Sequence, residues 1–144
     1  MQIPNFEETL EKLLQRDGRY QREAYLFVRE ALDHTQKIIE KSGKAEVRHV
    51  SGQELLEGIR SYALQQYGPM ALMLLNEWGV RRCEDFGELV FNMVECQLLA
   101  KTEKDSRDDF KNGYTFEDAF RRPFLPSSKP VTASELESPS TELK

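Results

Sequence analysis

The stretch "RYQREAYLFVREALDHTQKIIEK", residues 19–41, constrains the fold more than any other. Tyr20, Ala24, Phe27, Val28, Ala31, Leu32, Thr35, Ile38 and Ile39 recur at the 3.6-residue spacing of one helical face, with Arg22, Arg29, Asp33, Lys37 and Glu40 opposite. A helix this long with a single apolar face cannot stand alone. The rest of the chain must therefore supply the elements that cover it.

A shorter amphipathic helix is expected over residues 5–16, with Phe6, Leu10, Leu13 and Leu14 on one side and Asp17-Gly18 closing it. After "SGKAEVRHV", which allows a short extended piece over residues 46–50, Ser51 and Glu54 form an S-x-x-E capping box flanked by Val50 and Leu55. A third helix then runs over residues 52–67. Gly68-Pro69 interrupts it and starts a fourth over residues 69–78, apolar nearly all round and so expected to be buried, which Gly79 ends. Gly58, near the edge of the third helix's apolar arc, suits a close helix crossing as well as a surface position.

A fifth helix, residues 84–98, places Phe86, Leu89, Val90, Met93, Val94 and Gln97 inward and Glu84, Glu88, Asn92 and Glu95 outward. "LLAKTE" and "DFKNGY" read as strands around the turn "KDSRD", and "TFEDAF" as a last helical turn. The expectation is a mainly α (α+β) domain of five helices over residues 1–125. Its second half is winged-helix-like, with residues 69–78 and 84–98 as the helix pair and residues 101–109 as a small β-hairpin wing. A Pro-, Ser-, Thr- and Glu-rich tail at residues 126–144 is expected to be disordered.

Composition narrows the function classes. The chain has 144 residues, 39% apolar and 31% charged, with no apolar run near the ~20 residues that cross a bilayer. The N-terminal residues lack a basic region followed by an apolar block, so a cytoplasmic protein is expected. A net charge of −5 works against general affinity for nucleic acid. Cys83, Cys96, His34 and His49 are too scattered for a zinc site, and no metal or cofactor is expected. Cys83, beside Arg81 and Arg82, is an ordinary turn thiol unless those cations lower its pKa.

The acids of "KTEKDSRDDFKNGYTFEDAF" invite comparison with a calcium loop. With Gly113 at the sixth position of an EF-hand, Asp108 is the first, but the third is Phe110 and the twelfth is Ala119. Two oxygen donors are missing, so the segment reads as a turn.

"RYQREAYLFVREAL", "HVSGQELLEGIRSYALQQYGPMA", "DFGELVFNMVECQLLAKTEKDSRDDF" and "YTFEDAF" together resemble the uncharacterised conserved hypothetical proteins best known from planctomycete and verrucomicrobial bacteria. The resemblance spans residues 6–120 and implies a bacterial protein. It carries no activity, cofactor or catalytic residue with it.

The leading functional expectation is a non-enzymatic interaction module, regulatory or assembling, that contacts a protein partner or a second copy through Glu84, Glu88, Phe91 and Glu95. Leu26 and Leu64 also fall off their helices' inner arcs and would enlarge such a surface if contiguous. One alternative is nucleic-acid binding through Arg81, Arg82, Lys101, Lys104 and Arg107 at the turn and wing. The other is an enzyme whose pocket is assembled from distant residues, since the chain carries neither a G-x-S-x-G nor a phosphate-cradling glycine loop.

Overall fold

A computed structural model describes residues 6–41, 50–101 and 105–126. The extended piece expected before Val50, His49, Lys104 and the tail from residue 127 lie outside the described residues. The fold is mainly helical: α1 (Phe6–Arg16), α2 (Arg22–Lys41), α3 (Gly52–Tyr67), α4 (Ala71–Glu77) and α5 (Cys83–Glu95). A 3-10 turn at Gly68–Met70 joins α3 to α4, and a closing segment carries short turns at Arg107–Phe110, Glu117–Arg121 and Arg122–Phe124.

The local signals act as their chemistry requires. Ser51 Oγ accepts from the Glu54 backbone N–H while the Glu54 carboxylate accepts from the Ser51 N–H, so α3 begins with both donors satisfied. Gly79 ends the α4 region at φ +93°, where a Cβ would fall 2.3 Å from the Arg19 carbonyl oxygen. Beside it the Gln21 N–H donates to Trp78 O at 3.0 Å, tying the start of α2 to the end of α4.

Helices α2 and α3 cross so closely that a Cβ on Gly58 would lie 1.7 Å from Thr35 Oγ1. Of the two readings of Gly58, close approach is the one realised. Thr35 is buried, and its hydroxyl donates back to the Ala31 carbonyl at 2.7 Å. Around the crossing Phe27 is ringed by Tyr62, Tyr67, Trp78 and Phe86 at centroid distances of 5.7, 6.0, 5.7 and 6.5 Å. Phe86 continues this cluster to Phe116 and Phe120, so "TFEDAF" supplies core as well as a helical turn.

Four expectations are corrected. First, the β-hairpin wing, and with it the winged-helix arrangement, is not what forms: no strand occurs among the described residues. Helix α5 ends at Glu95, three residues earlier than expected, because Gln97 takes φ 63° and a Schellman closure follows: Leu98 N–H donates to Met93 O at 2.8 Å and Gln97 N–H to Val94 O at 3.0 Å. Gln97 is consequently exposed rather than inward. Second, the chain at 106–110 folds into a 3-10 turn, because Ser106 Oγ accepts from Asp108 N–H and the Asp109 carboxylate accepts from Ser106 N–H.

Third, α4 is not buried all round. Met70 and Met73 are 52% and 50% exposed, since a helix of only seven residues at the edge of the domain buries just Ala71 and Leu75. Ile38, expected inward, is exposed near the end of α2. Fourth, Asn92 and Phe91 point into the protein, 5% and 8% exposed. The close packing of α1's end and of Arg107 over this face of α5 covers them.

Candidate functional site

Helix α5 and the turn before it carry most of the residues singled out from sequence. Its N-terminus is organised by Asp85, whose carboxylate accepts from the backbone N–H groups of Arg81 (2.9 Å) and Arg82 (3.3 Å) and from the Tyr20 hydroxyl (2.7 Å). Arg81 and Arg82 project outward, exposed, with no side-chain ion pair among the described residues.

Cys83 sits between them and the core. It is buried, its thiol donates to the Tyr114 carbonyl at 3.2 Å, and desolvation pushes its pKa up to about 12. The side chains of Arg81 and Arg82 turn to solvent, so burial wins over any cationic assistance, and Cys83 is a packing thiol.

The outward stripe of α5 is the centre of a chain of ion pairs. Asp17 accepts from Arg19 Nε at 3.0 Å and Nη2 at 2.7 Å, and the same Nη2 reaches Glu88 at 3.1 Å. Glu88 meets Arg107 at 3.4 Å, Arg107 meets Glu95 at 3.4 Å, and Glu95 meets Arg16 at 3.4 Å. Three acids alternate with three arginines, and the seam is locally neutral. Arg107 also lies over the Phe91 ring, 5.1 Å from its centroid.

The structure thus brings together residues that sequence reasoning assigned to opposite hypotheses. Glu88, Glu95 and Phe91 had marked a protein surface and Arg107 a nucleic-acid contact, yet they satisfy one another. Sequence patterning shows only which helix face a charge occupies, and it missed Arg16, Arg19 and Asp17 because they come from the end of α1 and the turn after it, far away in the chain. Glu84 is half-buried at the helix start and stands outside the seam, while Lys101 is exposed.

Exposed pairs of this kind contribute little individually, about 0–1 kcal/mol. Asp17 is different. It also accepts from Asn92 Nδ2 at 3.0 Å, and Asn92 in turn meets the Tyr25 hydroxyl at 3.1 Å, so the seam ends in a buried polar network. The hydrogen bonds from Arg19 outweigh desolvation and hold the Asp17 carboxyl well below the usual carboxylate range.

A carboxylate whose pKa is depressed on folding contributes stability that is full above its unfolded pKa and is lost as pH falls through it toward the folded value. Wild type is expected to lose about 2 kcal/mol more than Asp17→Asn between about pH 5 and pH 2. Urea titrations at stepped pH check this, and parallel pH profiles for the two proteins would remove Asp17 from the account.

A second surface lies on α4. Pro69, Leu72, Met73, Asn76, Glu77 and Arg121 line a shallow groove where α4 meets the closing segment. Beyond Arg121, the next turn presents Phe124 and Leu125, 43% and 46% exposed. With Met70 and Met73 they make up four of the five exposed large apolar side chains among the described residues. The sequence signal was present in "PMALM" and "RRPFLP", but an apolar run alone does not distinguish a core helix from a surface one.

Elsewhere, His34 Nε2 lies 3.5 Å from Ser61 Oγ on an exposed face, a long contact, with the imidazole against the Tyr62 ring. Among the described residues, no group of three His, Cys, Asp or Glu side chains could hold a metal ion, and no helix is long and apolar enough to cross a membrane. At the EF-hand positions tested, Phe110 and Ala119 are core residues. No family model, curated protein or solved structure matches the chain.

Proposed function

We propose that the chain is a non-enzymatic interaction module that engages a protein partner through the Met70 and Met73 end of the fold. The observation that carries this reading is the exposure of Met70 and Met73 on α4 and the turn before it, which pack on the closing segment that goes on to present Phe124 and Leu125. Methionine is flexible and polarisable, and suits a surface that must adapt to a partner's apolar side chains. The originally expected surface on α5 is less suitable, because a partner would have to displace the Arg107 and Arg19 pairs to reach Glu88, Glu95 or Phe91. The resemblance to the planctomycete and verrucomicrobial proteins stays a proposal about kinship and assigns no partner.

The test compares three tagged proteins expressed in the native host: wild type, Met70→Glu with Met73→Glu, and Glu88→Gln. Wild type and Glu88→Gln are expected to recover the same partner, and the methionine variant about tenfold less, the loss typical of a central interface side chain. Equal recovery by all three, or loss only in Glu88→Gln, contradicts the assignment.

A second reading rests on Arg81 and Arg82, exposed at the start of α5 with no side-chain ion pair among the described residues. Nucleic-acid binding there would weaken steeply with added salt and drop in Arg81→Ala with Arg82→Ala. Absence of duplex binding at low salt eliminates it.

A further inference from the structure

We propose that a cleft between α2, α3, α5 and the closing segment is a binding site for a small neutral molecule with one apolar ring and a hydrogen-bonding head. The cleft encloses about 210 Å³. Its apolar wall is Leu32, Leu55, Val90, Phe91, Leu99 and Phe110, drawn from every element around it. An apolar cavity of roughly 150 Å³ stays dry and takes up benzene, so this volume suits a single substituted ring and is below the size that drug-like molecules need.

The polar lining decides the head group. Gln36 lines both this cleft and the open groove that continues along α2 past Leu26 and Arg29, so it stands where the two join. Its amide, half-buried, has no hydrogen-bond partner among the described residues. It offers a donor and an acceptor together, which suits a hydroxyl or amide.

An anion is disfavoured. The N-terminus of α3 opens into the cleft at Ser51 and Gly52, but two of its donors, the Ser51 and Glu54 N–H groups, are already used by the capping box. Asp105 and Asp109 share the same wall and repel negative charge, and Lys101 on that wall offsets one of them, so no strong field calls for a cation. This site is separate from the Met70 and Met73 end and is independent of the partner reading.

The experiment titrates the full chain, isotope-labelled, with p-cresol and separately with 4-methylbenzoate, following amide chemical shifts. Saturable shifts with p-cresol at Gln36, Gly52, Phe91 and Leu99 are expected, with 4-methylbenzoate binding at least about tenfold more weakly, the effect of about 1.4 kcal/mol of repulsion. Val90→Phe, which fills the cleft, should abolish the shifts. Gln36→Ala, a change at a half-buried surface position that leaves the core intact, should weaken p-cresol about fivefold, the effect of one hydrogen bond.

Absence of saturation at millimolar p-cresol overturns the site, as do shifts that survive in folded Val90→Phe. If Val90→Phe does not fold, unchanged affinity in Gln36→Ala overturns it instead. Equal binding of 4-methylbenzoate overturns the neutral ligand class.

Discussion

Phe110→Ala is expected to destabilise the protein by about 3–5 kcal/mol, the range for deleting a fully packed aromatic ring. Phe110 is 2% exposed and sits in a slot that two glycines open. A Cβ on Gly87 would lie 3.0 Å from three Phe110 atoms, and one on Gly52 would lie 2.7 Å from Asp109 Cβ and 3.2 Å from the ring. The ring therefore joins α3, α5 and the closing segment. Around it, Gln53 donates to the Asp109 carbonyl and the Tyr114 hydroxyl to the Leu56 carbonyl at 2.7 Å, so the segment is anchored on both sides.

Domains of this size are stable by about 5–15 kcal/mol, so the loss would take a large share of the total. Urea unfolding should show a lower midpoint, with Phe110→Leu between wild type and alanine. A loss of less than about 1 kcal/mol would mean that the segment merely lies on the surface.

Gly58→Ala is the second large effect, and its sign is set by competition. Replacing an interior helical glycine with alanine normally stabilises by about 1 kcal/mol. Here the added carbon would lie 1.7 Å from Thr35 Oγ1 and 2.8 Å from Thr35 Cβ, so α2 and α3 must separate or Thr35 must leave its rotamer. Overpacking this severe falls at the upper end of the usual range, about 3 kcal/mol, and the propensity gain offsets about 1 of it. A net loss of about 2 kcal/mol is expected, read from thermal or urea unfolding.

Coupling should be visible between the two positions. Thr35→Ala removes the conflicting oxygen and should recover part of the Gly58→Ala loss, whereas Thr35→Ser keeps the oxygen and should not. Stabilisation by Gly58→Ala alone would show that the crossing is looser than the structure has it.

These residues also show which parts of the fold the sequence discloses. The start of α3 is written in Ser51 and Glu54, and the end of α4 in Gly79, because capping and left-handed backbone are local chemistry with few residue choices. The end of α5 is not so written. Gln97 at φ 63° does glycine's work without a glycine, and with that stop unseen the following residues read as a strand.

The α5 stripe failed for another reason. Glu88, Glu95 and Asn92 alternate outward on a helical wheel, and only the tertiary fold shows that Arg19, Arg107 and Asp17 are waiting there. Met70 and Met73 were misplaced because burial depends on how many neighbours reach a helix, and a seven-residue helix at the domain edge has few. In each case the missing information was a long-range contact.

The closing segment, read from sequence as a β-hairpin wing and a last helical turn, is by this account part of the cooperative core. Native-state hydrogen exchange tests it directly. The Ala119 amide, which donates to Thr115 O at 2.9 Å beneath the aromatic cluster, and the Lys111 amide, which donates to Asp108 O at 3.1 Å beside Phe110, should open with the same free energy as the amides of mid-α5. Phe110→Ala should lower all of them together. Exchange of Ala119 and Lys111 through a low-energy local opening, while α5 keeps its protection, would contradict the account.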